Sequence, residues 1–156
     1  MTNNNDVIRS VRYALDLSEP AIVDIFKLDG YEIDRIAVSN LLKKEDEAGF
    51  VECSDEILAF FLDGLVTYKR GKREGAEEVA QPEPVRLTNN MILKKLRVAF
   101  ELKEEDLHDI LKLADFELSK PEMSALFRKK GHKNYRICGD QLLRYFLKGL
   151  TIRLRG

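Results

Sequence analysis

CSDEILAFFLDGL (residues 53–65) and CGDQLLRYFLKGL (residues 138–150) are two versions of one sequence motif, separated by 85 positions in the chain and called the repeated phrase below. In each version, leucine and phenylalanine recur at the three- and four-residue spacing that places them on one face of an α-helix. In the first version these residues are Leu58, Phe61, Leu62 and Leu65. The pattern predicts a buried helix that occurs twice, with a cysteine and an aspartate at the head of each copy.

The repetition extends well beyond this phrase. Residues 4–65 align with residues 89–150 without a gap, and 21 of the 62 aligned pairs are identical. Such self-similarity indicates tandem duplication. We therefore predict a first repeat over residues 1–68, a charged linker with glycine and proline over residues 69–88, and a second repeat over residues 89–156. A linker of this length allows the repeats to pack together or to stay apart.

Each repeat is predicted to contain about four helices. The first begins after residues 4–5 or 89–90, two Asn-Asn pairs whose side chains can accept from the free N–H groups of a first turn. The second helix is EPAIVDIFKL or EEDLHDILKL, the third is DRIAVSNLLKK or SKPEMSALFRKK, and the fourth is the opening phrase. Strand signals are weak, so the sequence predicts an all-α protein made of two tandem related helical units.

The composition is that of a globular protein. Of the 156 residues, 44% are hydrophobic and 34% are charged, a mixture that can bury a core and stay in solution. No apolar run approaches the roughly 18–20 residues that cross a bilayer, and the start, MTNNNDVIRS, lacks the features of a secretory signal. Two cysteines without an export signal suit a reducing compartment. We expect a cytoplasmic protein that does not enter a membrane.

The net charge of −1 conceals an asymmetry between the two halves. Residues 1–80 hold 10 Lys and Arg against 17 Asp and Glu, whereas residues 81–156 hold 16 against 10. Three interpretations are open: the halves attract each other, within one chain or head to tail between chains; only the basic half contacts a polyanion; or surface charge drifted after the duplication.

The cysteines at the head of the repeated phrase are weak candidates for chemistry. Two distant cysteines offer too few ligands for a zinc site. The only histidines, His108 and His132, both lie in the second repeat, so Cys53 has no histidine base in its own repeat. Phosphate-binding loops, dinucleotide fingerprints, zinc-protease motifs and hydrolase elbows are absent from the sequence. We expect Cys53 and Cys138 to fill space in the core, and we expect no catalytic residue, metal ligand or cofactor.

The aspartates of the phrase allow three interpretations. Asp55 and Asp140 lie in the first turn of the fourth helix, where the helix dipole favours a carboxylate. Alternatively, Arg12 and Arg97, beside the apolar stripe of the first helix, point partly inward and pair with Asp55 and Asp140 respectively. Such pairs would clamp the first helix to the fourth. A ligand-binding or catalytic role is the third interpretation.

Glycine inside the fourth helix predicts a close helix contact. Gly64 and Gly149 occupy equivalent positions within the apolar pattern. Glycine in a helix interior costs about 1 kcal/mol relative to alanine. Its presence in both repeats therefore suggests that another backbone passes nearby.

The most basic segment lies before the fourth helix of the second repeat. It reads LFRKKGHKNYRICGD and contains Arg128, Lys129, Lys130, Lys133 and Arg136. The first repeat reads LLKKEDEAGFVECSD at the same place and turns acidic. The segment is either a contact surface for nucleic acid or another partner, or a solvated face.

The second and third helices suggest a helix-turn-helix, but their link of about six residues exceeds the three or four typical of that motif. The pI of about 6.2 also differs from that of most DNA-binding domains.

Four stretches, IRSVRYAL, LLKKEDEAGF, NNMILKKLRVAFELK and CGDQLLRYFLKGL, resemble the YehS-like family of bacterial proteins. The resemblance covers nearly the whole chain, including the duplication. The family is a domain of unknown function, so the resemblance implies a small bacterial cytoplasmic protein and supplies no reaction, ligand or site residue. We expect a non-enzymatic binding or adaptor protein with a protein partner or self-association. The alternatives are nucleic-acid binding through the basic second repeat, and an enzyme that uses a cleft between the repeats.

Overall fold

Helices account for all of the regular secondary structure in the computed structural model, which describes residues 3–71 and 86–156. The first repeat contains α1 (Asn4–Leu15), α2 (Glu19–Leu28), α3 (Arg35–Leu42) and α4 (Asp55–Arg70). The second contains α5 (Asn89–Ala99), α6 (Glu104–Leu113), α7 (Lys120–Leu126) and α8 (Asp140–Arg155). The predicted all-α class and the four helices per repeat are confirmed.

The first helix of each repeat begins slightly earlier than the sequence suggested. Asn3 caps α1 by accepting, at 2.8 Å, from the amide N–H three residues further on. Thr88 caps α5 in the same way at 3.2 Å. The predicted caps at residues 4–5 and 89–90 therefore lie inside the first turn, and their side chains are available for contacts elsewhere.

The other boundaries also differ in places from the predicted ones. The third helices end at Leu42 and Leu126, so the basic residues that follow Leu126 lie in a loop. The predicted linker began at residue 69, but α4 continues to Arg70. Residues 72–85, which make up most of the predicted linker, lie outside the described residues.

The two repeats pack into one body by pairing the first helix of each with the last helix of the other. Helix α1 lies against α8 and α5 lies against α4, whereas within the repeats α2 packs on α4 and α6 packs on α8. Buried apolar side chains from both repeats form a single core. Its largest members include Phe26 and Phe61 from the first repeat and Phe146 from the second.

Equivalent contacts show that the pairing has approximate two-fold symmetry. Arg70 at the end of α4 donates to the carbonyl oxygen of Val98 on α5 at 3.4 Å. Arg155 at the end of α8 donates to the carbonyl oxygen of Tyr13 on α1 at 2.7 Å. Because these residues occupy aligned positions in the two repeats, one contact is made twice, in opposite directions between the repeats.

Three ion pairs join the described parts of the two repeats. In two of them the second repeat provides the cation: Lys95 of α5 pairs with Asp63 of α4, and Arg155 lies 4.0 Å from the carboxylate of Asp16. In the third the first repeat provides the cation, because Arg70 lies 3.2 Å from the carboxylate of Glu101. Partly exposed pairs of this kind contribute only about 0–1 kcal/mol each. Burial of apolar surface therefore holds the repeats together, and the ion pairs add little to it.

The glycines of α4 and α8 lie against backbone, as predicted. A Cβ atom on Gly64 would lie 2.9 Å from the carbonyl carbon of Ile25 on α2, and closer still to its oxygen. A Cβ atom on Gly149 would lie 2.8 Å from the carbonyl carbon of Ile110 on α6. Each glycine thus lets α2 or α6 approach the last helix of its own repeat.

Candidate functional site

Asparagine and aspartate tie the start of the first helix to the start of the fourth. The Nδ2 atom of Asn4 donates to Oδ1 of Asp55 at 2.8 Å and to the carbonyl oxygen of Cys53 at 3.0 Å. Asn89 makes the equivalent 2.8 Å bond to Asp140 in the second repeat. The first and fourth helices are therefore clamped together by asparagine, and not by the predicted arginine.

The predicted arginine partners lie elsewhere. Arg12 is exposed, and no ion pair among the described residues joins it to Asp55. Arg97 donates from Nε to the carbonyl oxygen of Leu102 at 3.0 Å, and its guanidinium lies 4.6 Å from the centre of the Phe127 ring. The prediction was wrong because each arginine is eight residues beyond the clamp asparagine. At 1.5 Å per residue, that is about 12 Å further along the helix.

Asp55 also connects the two repeats. Its second carboxylate oxygen, Oδ2, accepts at 3.1 Å from the backbone N–H of Leu87, just before α5. Asp55 is the first residue of α4, as predicted, where the helix dipole favours its charge. Both carboxylate oxygens are thus engaged in holding the fold, and a ligand would have to displace one of these bonds.

A second asparagine in each repeat fixes the loop between the third and fourth helices. Asn5 is buried, and its amide donates at 2.9 Å to the carbonyl oxygens of both Leu41 and Val51. Its Oδ1 accepts from the backbone N–H of Cys53 at 3.0 Å. Asn90 makes the same three bonds in the second repeat. This role was not predicted from the sequence, although the Asn-Asn pair that occurs in both repeats was a signal for it.

The two cysteines are buried and protonated. Burial and, to a smaller extent, the nearby charge of Asp55 together raise the pKa of Cys53 from its ordinary value of 9.0 to about 12. Burial likewise raises the pKa of Cys138 to about 11. A thiol with so high a pKa is a poor nucleophile and a poor metal ligand at neutral pH. In the described part of the chain, no three His, Cys, Asp or Glu side chains converge into a metal-binding group.

The basic segment forms an exposed loop between α7 and α8. Four of its cations are exposed and have no ion-pair partner among residues 3–71 and 86–156, namely Arg128, Lys129, Lys130 and Lys133. Arg136 differs, because its Nη1 atom lies 2.6 Å from the carboxylate of Glu122 on α7. Arg136 is therefore bound to α7 through Glu122, whereas the side chains of the other four candidates are accessible to a partner.

Two surface pockets are further candidate sites. One, of about 270 Å³, lies between α1 and α8. The other is a groove of about 480 Å³ beside α6, where Nε2 of His108 is buried and has no hydrogen-bond partner among the described residues. The first pocket combines residues from the two ends of the described chain, whereas the second is lined by the single stretch 105–120. None of the described helices has the length and apolar character needed to cross a membrane.

Comparison with known proteins identifies the family. The family model for a protein of unknown function (DUF1456) matches residues 4–71 and 89–156, one match in each repeat. The chain is 47% identical over 150 residues to the uncharacterized protein YehS of Escherichia coli (strain K12), covering 96% of this chain and 95% of that protein. No solved structure matches the chain. The resemblance noted in the sequence is confirmed, and the chain belongs to the DUF1456 family.

Proposed function

We propose that this chain is a non-enzymatic binding protein that acts in the cytoplasm and recognises its partner through surface charge. The polar and thiol groups that occur in both repeats stabilise the fold. The thiols are buried, both carboxylate oxygens of Asp55 accept hydrogen bonds, and the amide of Asn5 both donates and accepts. Exposed charge remains available for recognition. Exposed positive charge is most concentrated in the loop between α7 and α8, which we call the basic loop (residues 128–133).

One observation carries this proposal. The equivalent loops of the two repeats are held by the same asparagine bonds, from Asn5 and from Asn90. Their exposed residues nevertheless have opposite charge, KEDEA at residues 44–48 against KKGHK at residues 129–133. The two repeats thus share a scaffold but differ in the surface that this scaffold presents. This combination favours recognition of an acidic partner by the second repeat.

A capture experiment with matched variants tests the proposal. Tagged chain is used to recover partners from cell extract, in parallel with the variant Lys129→Glu/Lys130→Glu and with the control Lys44→Glu. Lys44 is the aligned exposed lysine of the first repeat. We expect an acidic partner that the parent and the control retain and the loop variant loses. If the loop variant recovers as much of the acidic partner as the parent does, the basic loop is not the surface that binds it.

Nucleic-acid binding is the second candidate, favoured by the four exposed cations of the basic loop, which form no ion pair with any residue that the structure describes. Backbone phosphates bind such cations without regard to sequence. The geometry gives less support to a helix-turn-helix. The α6–α7 link is six residues long, residues 114–119, and α7 has only seven residues. The loop would therefore contact phosphates, and no helix would need to enter a groove.

Fluorescence anisotropy over a salt series separates this candidate from a protein partner. Labelled duplex DNA, single-stranded DNA and RNA are titrated with the full chain. If all four cations contact phosphates, log K should fall with log salt with a slope of up to about −3.6 on duplex DNA. Lys129→Glu/Lys130→Glu should abolish binding and Lys44→Glu should leave it unchanged. Absence of binding at low salt would exclude the nucleic-acid candidate.

A further inference from the structure

The pocket between α1 and α8 has a lining rich in cations and hydroxyl groups. Two cations project from successive turns of α8, Arg144 and Lys148, and both are exposed. Neither makes an ion pair or a hydrogen bond with any described residue. Two hydroxyl groups share the lining, that of Ser10 on α1 and that of Thr151 on α8.

The opposite wall of the pocket is already neutralised. Asp6 accepts from the guanidinium of Arg9 and, at 3.1 Å, from the backbone N–H of Asn3. Arg9 also donates to the carbonyl oxygen of Lys43 at 2.8 Å. This bonding holds Arg9 and Asp6 to each other and to the first repeat. Asp6 is therefore not available to neutralise the two cations of α8.

The approximate two-fold symmetry supplies an internal comparison. The equivalent position at the α4–α5 contact is occupied by the ion pair between Asp63 and Lys95. At the α1–α8 contact, Lys148 replaces the aspartate and Ser10 replaces the lysine. This exchange removes the acid and adds a cation at the α1–α8 contact. The α4–α5 contact therefore has an ion pair at this position, whereas the α1–α8 contact has positive charge that no described residue neutralises there.

The arrangement also has an energetic cost without a ligand. Arg144 and Lys148 are four residues apart on α8, and like charges at this spacing destabilise a helix. At the aligned positions, α4 carries Ala59 and Asp63, which do not repel each other. A bound anion would relieve the repulsion, because guanidinium and ammonium groups both bind phosphate oxygens well.

We infer that the α1–α8 pocket binds a compact phosphate-bearing molecule, with Arg144 and Lys148 holding the phosphate and the hydroxyl groups of Ser10 and Thr151 contacting the remainder. A volume of about 270 Å³ is slightly below the roughly 300–1,000 Å³ of pockets for drug-sized ligands. The occupant is therefore small. This site is separate from the basic loop and goes beyond the function proposed above.

Nuclear magnetic resonance of the ¹⁵N-labelled full chain tests the inference. The probes are inorganic phosphate, ribose 5-phosphate, ribose without phosphate, and sodium chloride at matched ionic strength. Ribose 5-phosphate should give saturable shifts at the amides of Ser10, Arg144, Lys148 and Thr151. Inorganic phosphate should give the same shifts more weakly, and ribose and chloride should give none.

A double variant copied from the other contact provides the decisive control. Ser10→Lys/Lys148→Asp reproduces the Lys95–Asp63 pair and should weaken phosphate binding at least tenfold, whereas Lys27→Ala on α2 should leave it unchanged. Urea unfolding should show that the double variant is at least as stable as the parent, so that a loss of binding is not a loss of fold. Unsaturable shifts, or equal binding by the double variant, would overturn the inference. Shifts that map to residues 128–133 would also overturn it and would support the basic loop instead.

Discussion

Asparagine makes the contact between the first and fourth helices that was predicted for arginine. An amide offers both a donor and an acceptor, so Asn5 can bond two carbonyl oxygens and one N–H group in a buried place. A guanidinium has donors only and is costly to bury without an anion. The first turn of α1 also meets the start of α4, which places Asn4 beside Asp55 and leaves Arg12 in solvent.

The first prediction concerns this buried amide. Asn5→Leu should lower the free energy of unfolding by about 3 kcal/mol or more, because it leaves buried carbonyl and N–H groups without partners. Urea unfolding measures the change. Asn90→Leu should give a similar loss in the second repeat. Asn134→Leu, at an exposed loop position, should change stability by no more than about 0.5 kcal/mol, and a loss as large as that of Asn5→Leu would contradict the assignment.

The second prediction concerns the thiols. Because burial raises the pKa of Cys53 to about 12 and that of Cys138 to about 11, the folded state keeps protons that the unfolded state releases above pH 9.0. Their contribution to stability is therefore complete below pH 9 and declines as the pH rises through 11 and 12. Urea unfolding at pH 8 to 10.5 should show a steeper decline for the parent than for Cys53→Ala/Cys138→Ala. Parallel pH profiles would contradict the raised pKa values.

Elements of the two repeats are most alike where they are buried. Helices α4 and α8 both begin at an aspartate and contain a glycine against a neighbouring backbone. The third helices were predicted to be longer than they are, because the lysines and arginines that follow them have good helix propensity. Tertiary contacts end these helices earlier. Asn5 donates to the carbonyl oxygen of Leu41 near the end of α3, and Asn90 donates to that of Leu126 at the end of α7. These bonds fix the direction in which the chain leaves each helix.

The third prediction tests the helix contact at glycine. Gly64→Ala should destabilise the protein by roughly 1–3 kcal/mol, because the added methyl group meets the backbone of Ile25. This outcome is opposite to the gain that helix propensity alone predicts for alanine. Gly139→Ser is the control, since nothing lies within 4 Å of an added Cβ there and α8 lacks a side-chain cap. It should stabilise by roughly 0.5–1 kcal/mol, and a gain from Gly64→Ala in thermal unfolding would refute the close contact.

The whole molecule behaves as an internal dimer. Each repeat covers the first helix of the other with its own last helix, α4 on α5 and α8 on α1, and apolar side chains from both repeats form one core. The linker makes the association intramolecular, which raises the effective concentration of one repeat near the other. Equivalent positions of the two repeats can differ in one chain, as Asp63 and Lys148 do.

The fourth prediction follows from the single core. Tryptophan is absent from the chain, so Phe60→Trp and Tyr145→Trp provide one fluorescent probe in each repeat at aligned, partly buried positions. Both probes should report the same urea midpoint, which should coincide with the loss of helical circular dichroism, because neither repeat retains its core without the other. Two separate midpoints would show that the repeats fold independently.

The sequence by itself determined the helical class, the duplication, the buried face of the fourth helix and the close contact at glycine. These features follow from local spacing, and spacing on a helix translates directly into position on a face. Only the tertiary structure decided that the first helices pack on the opposite repeats, that asparagine replaces arginine in the clamp, and that Arg144 and Lys148 line the α1–α8 pocket without a partner in the described part of the chain. Those outcomes depend on which helix ends meet in space, and distances between helix ends are not encoded in any local period.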